Sequence, residues 1–285
     1  MGRSKKTKFI ASKININSNI FSLNKENLVK LIPDAILGKP TLEKNTWTWK
    51  ITETKTISGY GVEFIYGNLV KSRYESVNVV DGDKINNYKI PKPVAYFSRF
   101  IYDPVSEVLI FEETGQIDRD EFMERFQDLI FKSKIEIGEV IIKVIPKKEE
   151  IYNRITNMDV LTKIEFDLIP PNMHSKDTFA SLDDIIHEEN ATRMKATFEN
   201  KDGLNKDGVF IKSGVEKVSN AYGDVKAYGY NNIPSRSKRH KTKRSHTKFN
   251  SRDLVHMRTF QDENDSDKFF GKLKKFAIEM RDIIL

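Results

Sequence analysis

Apolar positions along this chain switch repeatedly between a period of two and a period near 3.6, and the switches divide it into strands and helices. Over residues 9–16 the alternation around Ile10, Ile14 and Ile16 is imperfect and predicts a first strand behind a basic start. Asn24 is placed to cap a short helix carrying Leu28, Leu31 and Ile32, with Pro33 limiting it because proline lacks the amide proton that continues a helix. In TWTWKITETKTIS, Trp47, Trp49 and Ile51 share one face and Thr46, Thr48 and Lys50 the other, the signature of a half-buried strand. Gly59 and Gly61 separate it from VEFIYGNLV, so residues 46–70 read as a hairpin. Residues 77–93 are polar, with an Asp81-Gly82-Asp83 turn and prolines at 91 and 93, and read as a boundary or a long connection.

The second half is more regular. AYFSRFIYDPVSEVLIFEE reads as a hairpin turning at Asp103 and Pro104. Asp118 then opens a helix whose Phe122, Phe126, Leu129 and Ile130 face a core, with Glu121 and Arg125 spaced to pair on the outer side. EVIIKVIP, residues 139–146, is nearly continuous β-branched sequence and predicts a strand buried on both faces. A helix over residues 149–158, a strand over 160–169 stopped by Pro170 and Pro171, and an amphipathic helix with Phe179, Leu182, Ile185 and Ile186 follow. Strands are expected at 194–198, 224–230 and 254–260. Asp265 or Ser266 then caps a final helix on which Phe269, Leu273, Phe276, Met280 and Ile283 step by four and three. Its stripe fits core packing, and it also fits a partner or dimer seam. The fold class is α+β, a mixed, largely antiparallel sheet with hairpins covered by amphipathic helices. The expected division is an N-terminal strand-rich region, 1–90, and an α+β core, 91–285, with a basic loop at 235–249 and a C-terminal helix.

Composition changes this picture at one place. Lys and Arg number 48 against 41 Asp and Glu, a formal net charge of +7. SRSKRHKTKRSHTKF, residues 235–249, holds Arg236, Lys238, Arg239, Lys241, Lys243, Arg244 and Lys248 and no carboxylate. The excess charge is thus concentrated in one segment between two expected strands, and a concentrated charge is what a polyanion site requires. These seven residues are the candidate phosphate contacts to DNA or RNA; a solvated surface loop is the plainer reading of any charge run. Helix-turn-helix and zinc-finger spacings are lacking, so backbone contact rather than base reading is expected. Basic residues alternate with aromatics in KAYGY, where Lys226, Tyr228 and Tyr230 offer stacking on unpaired bases, although strand aromatics also serve cores.

Catalytic signals are thinner. With no cysteine in the chain, a thiolate nucleophile, a thiolate zinc site and a disulfide framework are excluded, and the composition suits a reducing cytoplasm. The start has no apolar run of signal-peptide length, and no run approaches a membrane span. His187 in DIIHEEN, with Glu188 or Asp184, is half of a zinc-protease helix motif without its second histidine. Pro33-Asp34 followed by Glu53 and Lys55 matches the carboxylate and lysine spacing of a large metal-dependent nuclease superfamily. Gly-rich phosphate loops, nucleophile elbows and dinucleotide fingerprints do not occur, so binding without catalysis, with no cofactor and no resident metal, is the expectation.

AYFSRFIYDPVSEVLIFEE, DEFMERFQDLI, EVIIKVIPKKEEIYNRITNMDVLTKIEFDLIPPN and GDVKAYGYN together resemble a poorly characterised bacterial family found among phage-defence genes, over roughly residues 90–232. More distantly, the layout is similar to the exclusion protein RexA of phage lambda. The resemblance rests on apolar spacing and carries over no functional residue. It implies a nucleic-acid-binding component of an anti-phage exclusion system acting with a second defence protein, a membrane or effector partner; a homo-oligomer through the seam of the final helix is a separate expectation. A metal-dependent nuclease effector and a scaffold acting through the C-terminal helix are the alternative functions.

Overall fold

A computed structural model describes residues 6–17, 30–172, 180–234, 242–261 and 266–284. The protein is α+β, and every described strand pairing is antiparallel. The strands sort into three sheets. The largest is built around β1 (Lys6–Asn17), whose one edge pairs first with β14 (Met257–Gln261) and then with β9 (Glu139–Val144). Its other edge pairs with β8 (Val108–Glu113), and the sheet continues through β7 (Val94–Asp103), β4 (Val62–Arg73), β3 (Trp47–Gly59) and β2 (Thr41–Lys44). Pairing of β4 with β7 carries this sheet continuously across position 90.

The imperfect alternation of β1 has a simple cause, because both faces of the sheet are covered. Ile10 and Ile14 enter a cluster with α1 (Leu31–Leu37) and α2 (Arg119–Ser133), while Phe9 and Ala11 enter one with α6 (Ser266–Ile284). A strand buried on both sides has no polar face to display. The reverse holds for β9, expected to be buried on both faces: Val140, Ile142 and Val144 are buried and Glu139 is exposed, since the strand lies at one edge of β1. Asp118 caps α2 by accepting from the Glu121 amide at 2.8 Å, as its sequence suggested. Glu121 pairs with Lys71 at 2.7 Å, however, and Arg125 with Asp128 at 2.6 Å, because a neighbouring strand offers the closer cation. Pro33 sits inside the first turn of α1, where an amide proton has no helical acceptor, so proline starts this helix rather than limiting it. Asn24 and Leu28 lie outside the described residues.

On α6, Phe269, Leu273, Phe276 and Met280 pack into the core beneath β1, β8 and β4, joined by Phe270, Ala277 and Ile284. The stripe is therefore core, and Ile283 is left largely exposed. Residues 77–93 contain a free-standing hairpin, β5 (Ser76–Asp81) and β6 (Lys84–Lys89), which contributes nothing to the three buried clusters.

The second sheet has four strands in the order β11 (Met194–Glu199), β10 (Val160–Leu168), β12 (Gly223–Pro234), β13 (Thr242–Asn250). One face packs on α3 (Lys148–Thr156), α4 (Ala180–Glu188) and α5 (Val209–Ser219) through Ile155, Ile164, Phe166, Leu182, Val215 and Val225. The segment 242–250, expected as part of a loop, is strand, and the expected strand at 254–260 begins only at Met257 and joins the other sheet. No described helix is long and apolar enough to cross a membrane.

The sheets meet through buried polar groups. Where β8 stops pairing with β1, Asn172 takes over: its amide donates to the Ile14 carbonyl at 2.9 Å and its Oδ1 accepts from the Ile16 amide at 2.8 Å. Lys13 donates to the Tyr222 hydroxyl at 2.6 Å, and Asn15 donates to the Ala221 carbonyl at 3.1 Å.

Candidate nucleic-acid interface

Pairing of β12 with β13 runs from Lys226↔Asn250 to Pro234↔Thr242, whereas β10 follows β12 only as far as Tyr230. The last four pairs therefore extend past the sheet as a two-stranded ribbon. The expected basic loop at 235–249 is thus largely the second arm of this ribbon. Lys243, Arg244 and Lys248 lie on β13 and are exposed; Arg236, Lys238, Arg239 and Lys241 lie outside the described residues. The strand carries little sequence signal because its inward positions are Phe249, packed on the sheet core, and Thr247, while the rest is polar.

Residues opposite each other across an antiparallel pair point to the same face. Arg244, His246 and Lys248 stand opposite Asn232, Tyr230 and Tyr228, and Lys163 on β10 stands opposite Tyr228 on the far side. With Lys226, these side chains share the face that the helices leave uncovered. Lys243, opposite Ile233, points the other way. The Arg244 guanidinium carbon lies 4.5 Å from the Tyr230 ring centroid, and the His246 ring meets the same tyrosine edge-on at 6.2 Å. Tyr230 is only 8% exposed, so it supports the two outer side chains rather than meeting solvent itself. Lys163 Nζ is 5.7 Å from the Tyr228 centroid.

Charge is divided unevenly over this face. On the β10 side, Lys163 pairs with Glu165 at 2.7 Å and Asp167 pairs with Arg193. On the β12 and β13 side, no ion pair among the described residues involves Lys226, Lys243, Arg244 or Lys248. Edge strands often carry lysine to discourage pairing with other chains.

A concavity of about 280 Å³ lies at the seam of the two sheets, lined by Asp120, Lys143, Asp167, Arg193, Asp224 and Arg252 among others. Its charges are matched: Lys143 meets Asp224 at 2.5 Å and Arg252 meets Asp120 at 2.5 Å. Burial works to raise the Asp167 carboxyl, but the hydrogen bond from Arg193 and the field of Lys143 and Lys195 hold it below the usual carboxylate range. A cleft so compensated holds the sheets together and leaves no charge for a ligand.

The nuclease-like residues are not gathered around one point. Asp34 is exposed and meets Lys134 at 3.3 Å, Glu53 accepts from Asn68 at 2.6 Å, and Lys55 lies 4.0 Å from the Phe270 ring centroid. Glu53 sits at a bulge of β3 with φ 52°, a left-handed conformation that turns its carboxylate toward β4. Among the described residues no group of three or more His, Asp or Glu has metal-holding geometry. The side chain of His187 is outside the described part.

Of the seven cations assigned from the sequence, Arg244 and Lys248 stand on this surface, which sequence reasoning did not place. The usable signal was the alternation of Lys226, Tyr228 and Tyr230, which marks one face of a strand. Together these elements define an α+β protein of antiparallel sheets, one of which presents a cationic, tyrosine-bearing face. The chain belongs to the family described as Domain of unknown function (DUF4747), whose model matches residues 7–254 and so includes the whole ribbon. No curated protein matches the chain at a significant level.

Proposed function

We propose that this chain is a cytoplasmic nucleic-acid-binding protein that grips phosphates through the cations of the β12–β13 ribbon. Its role, by the resemblance described above, is the nucleic-acid-binding component of a bacterial anti-phage exclusion system, acting with a second defence protein. The observation that carries the binding is the set of exposed cations Lys226, Arg244 and Lys248 on an uncovered sheet face, with no ion pair among the described residues, and Lys243 exposed on the opposite face of the ribbon. Like charges held this close repel, and a polyanion removes that penalty by releasing its own counterions.

Mobility shift against DNA and RNA in a salt titration, with and without divalent metal, tests the reading. If all seven cations from Arg236 to Lys248 displace counterions, log K falls against log salt with a slope of about −6, roughly four decades of affinity between about 50 and 200 mM. Replacing Arg239, Lys241, Lys243 and Arg244 by Ser flattens that slope by about 3 to 4 and weakens binding alike for all sequences. Binding that is unchanged by this replacement removes the ribbon from the interface. Cleavage that requires metal and is abolished by Glu53→Gln, with the fold intact, supports a nuclease instead.

A further inference from the structure

Phosphate contacts alone do not explain why the cations stand over tyrosines. Only one face of the second sheet is covered by helices among the described residues. The other presents Lys226, Tyr228, Arg244, His246 and Lys248 on β12 and β13, with the Lys163–Glu165 ion pair beside them on β10. Tyr230 lies beneath, where it orients the Arg244 guanidinium at 4.5 Å and packs edge-on against His246. A guanidinium laid on an aromatic ring keeps its outer plane free, and such a plane stacks on a base as readily as an aromatic does. Bases in a duplex are already stacked on each other and offer this surface nothing. Unpaired bases do, and every base has a π-face, so the contact tolerates any sequence.

We infer that the uncovered face of the β10–β12–β13 sheet is a stacking platform for single-stranded nucleic acid, with Arg244, His246 and Tyr228 taking successive bases while Lys226 and Lys248 hold the phosphates between them. Adjacent strands are about 4.8 Å apart and alternate same-face residues along a strand about 6.6 to 7 Å apart, spacings an extended single strand can match. The inference rests on the phosphate-binding reading and sharpens it, since it names the strandedness of the ligand.

The experiment is fluorescence anisotropy on the full chain with three labelled probes at one salt concentration: a 20-mer of oligo(dT), a 20-mer of oligo(U), and a 20-base-pair duplex of random sequence. The single strands bind more tightly than the duplex. His246→Ala and Arg244→Gln each weaken single-strand binding about 10-fold, the scale of one lost stacked base. Because His246 is exposed, its removal leaves the fold intact, which a thermal melt confirms. Lys243→Ser, on the opposite ribbon face, weakens single strand and duplex by the same small factor. Duplex binding equal to or tighter than single-strand binding, with no separate effect of His246→Ala, overturns the stacking platform and leaves the phosphate-binding ribbon standing. Failure to bind any of the three probes overturns both.

Discussion

The hydroxyl of Tyr102 has no hydrogen-bonding partner among the described residues, although the side chain is fully buried in the core between the first sheet and α2. Burial, with the nearby Glu107 and Asp103 carboxylates, pushes its phenol pKa well above the ordinary tyrosine value, so the group is a neutral, unsatisfied donor. Such a group costs roughly 1–3 kcal/mol of desolvation that its removal returns. Tyr102→Phe should therefore leave stability unchanged or raise it by about 1 kcal/mol in urea unfolding; a loss of that size would reveal a partner for the hydroxyl. Nothing in FIYDP distinguishes this tyrosine from one with a bonded hydroxyl, because satisfaction depends on what the fold places opposite. Residue identity was informative where the partner is local, as for Asp118, whose cap lies three residues away in the chain. It failed for Glu121, whose partner Lys71 is 50 residues away.

At the scale of elements, the strongly patterned ones were legible: the β3–β4 and β7–β8 hairpins, α2, α3, β10, β11 and α6 all lie close to where alternation or the 3.6 period put them. β2, the β5–β6 hairpin, β13 and α5 were missed, the last two for opposite reasons. β13 is almost entirely polar, so it has no period to detect, and it forms because the edge of β12 needs a partner for its amides. In α5, VFIKSGVEKVS is rich in β-branched residues and contains a glycine, a composition that argues against helix. Packing overrides that preference. A Cβ on Gly214 would come within 2.7 Å of the buried Phe166 ring, so the glycine is where helix and sheet touch. Ala should gain up to about 1 kcal/mol in helix propensity, yet crowding a packed core costs about 1–3 kcal/mol. Gly214→Ala is expected to lower the melting temperature; a rise would mean that Phe166 has room to move.

For the whole molecule, the decisive contacts are those between the two sheets, and they are made by polar side chains. Asn172 completes the hydrogen bonding of β1 at Ile14 and Ile16 beyond the end of β8. Asn172→Ala strands these two backbone groups, at about 1–3 kcal/mol each at most if water cannot reach them. Chemical denaturation should show a loss of a few kcal/mol. Separation of one unfolding transition into two would mean that these contacts are also what couples the sheets. A stability within about 0.5 kcal/mol of the parent would show that other groups substitute.

The sequence by itself determined the α+β class, most helices and hairpins, the absence of cysteine chemistry, and the concentration of positive charge over residues 236–248. These follow from local periodicity, composition and turn chemistry, which a linear string contains in full. Tertiary structure alone decided that β1 is buried on both faces, that the stripe of α6 is core, that Asp34, Glu53 and Lys55 go to separate partners, and that Arg244 and Lys248 stand on a sheet face with Tyr228 and Tyr230. The physical reason is common to all of them. Whether a side chain is covered, paired or left to solvent depends on which distant strand lies beside it, and register between strands is set by the collective burial of the whole sheet.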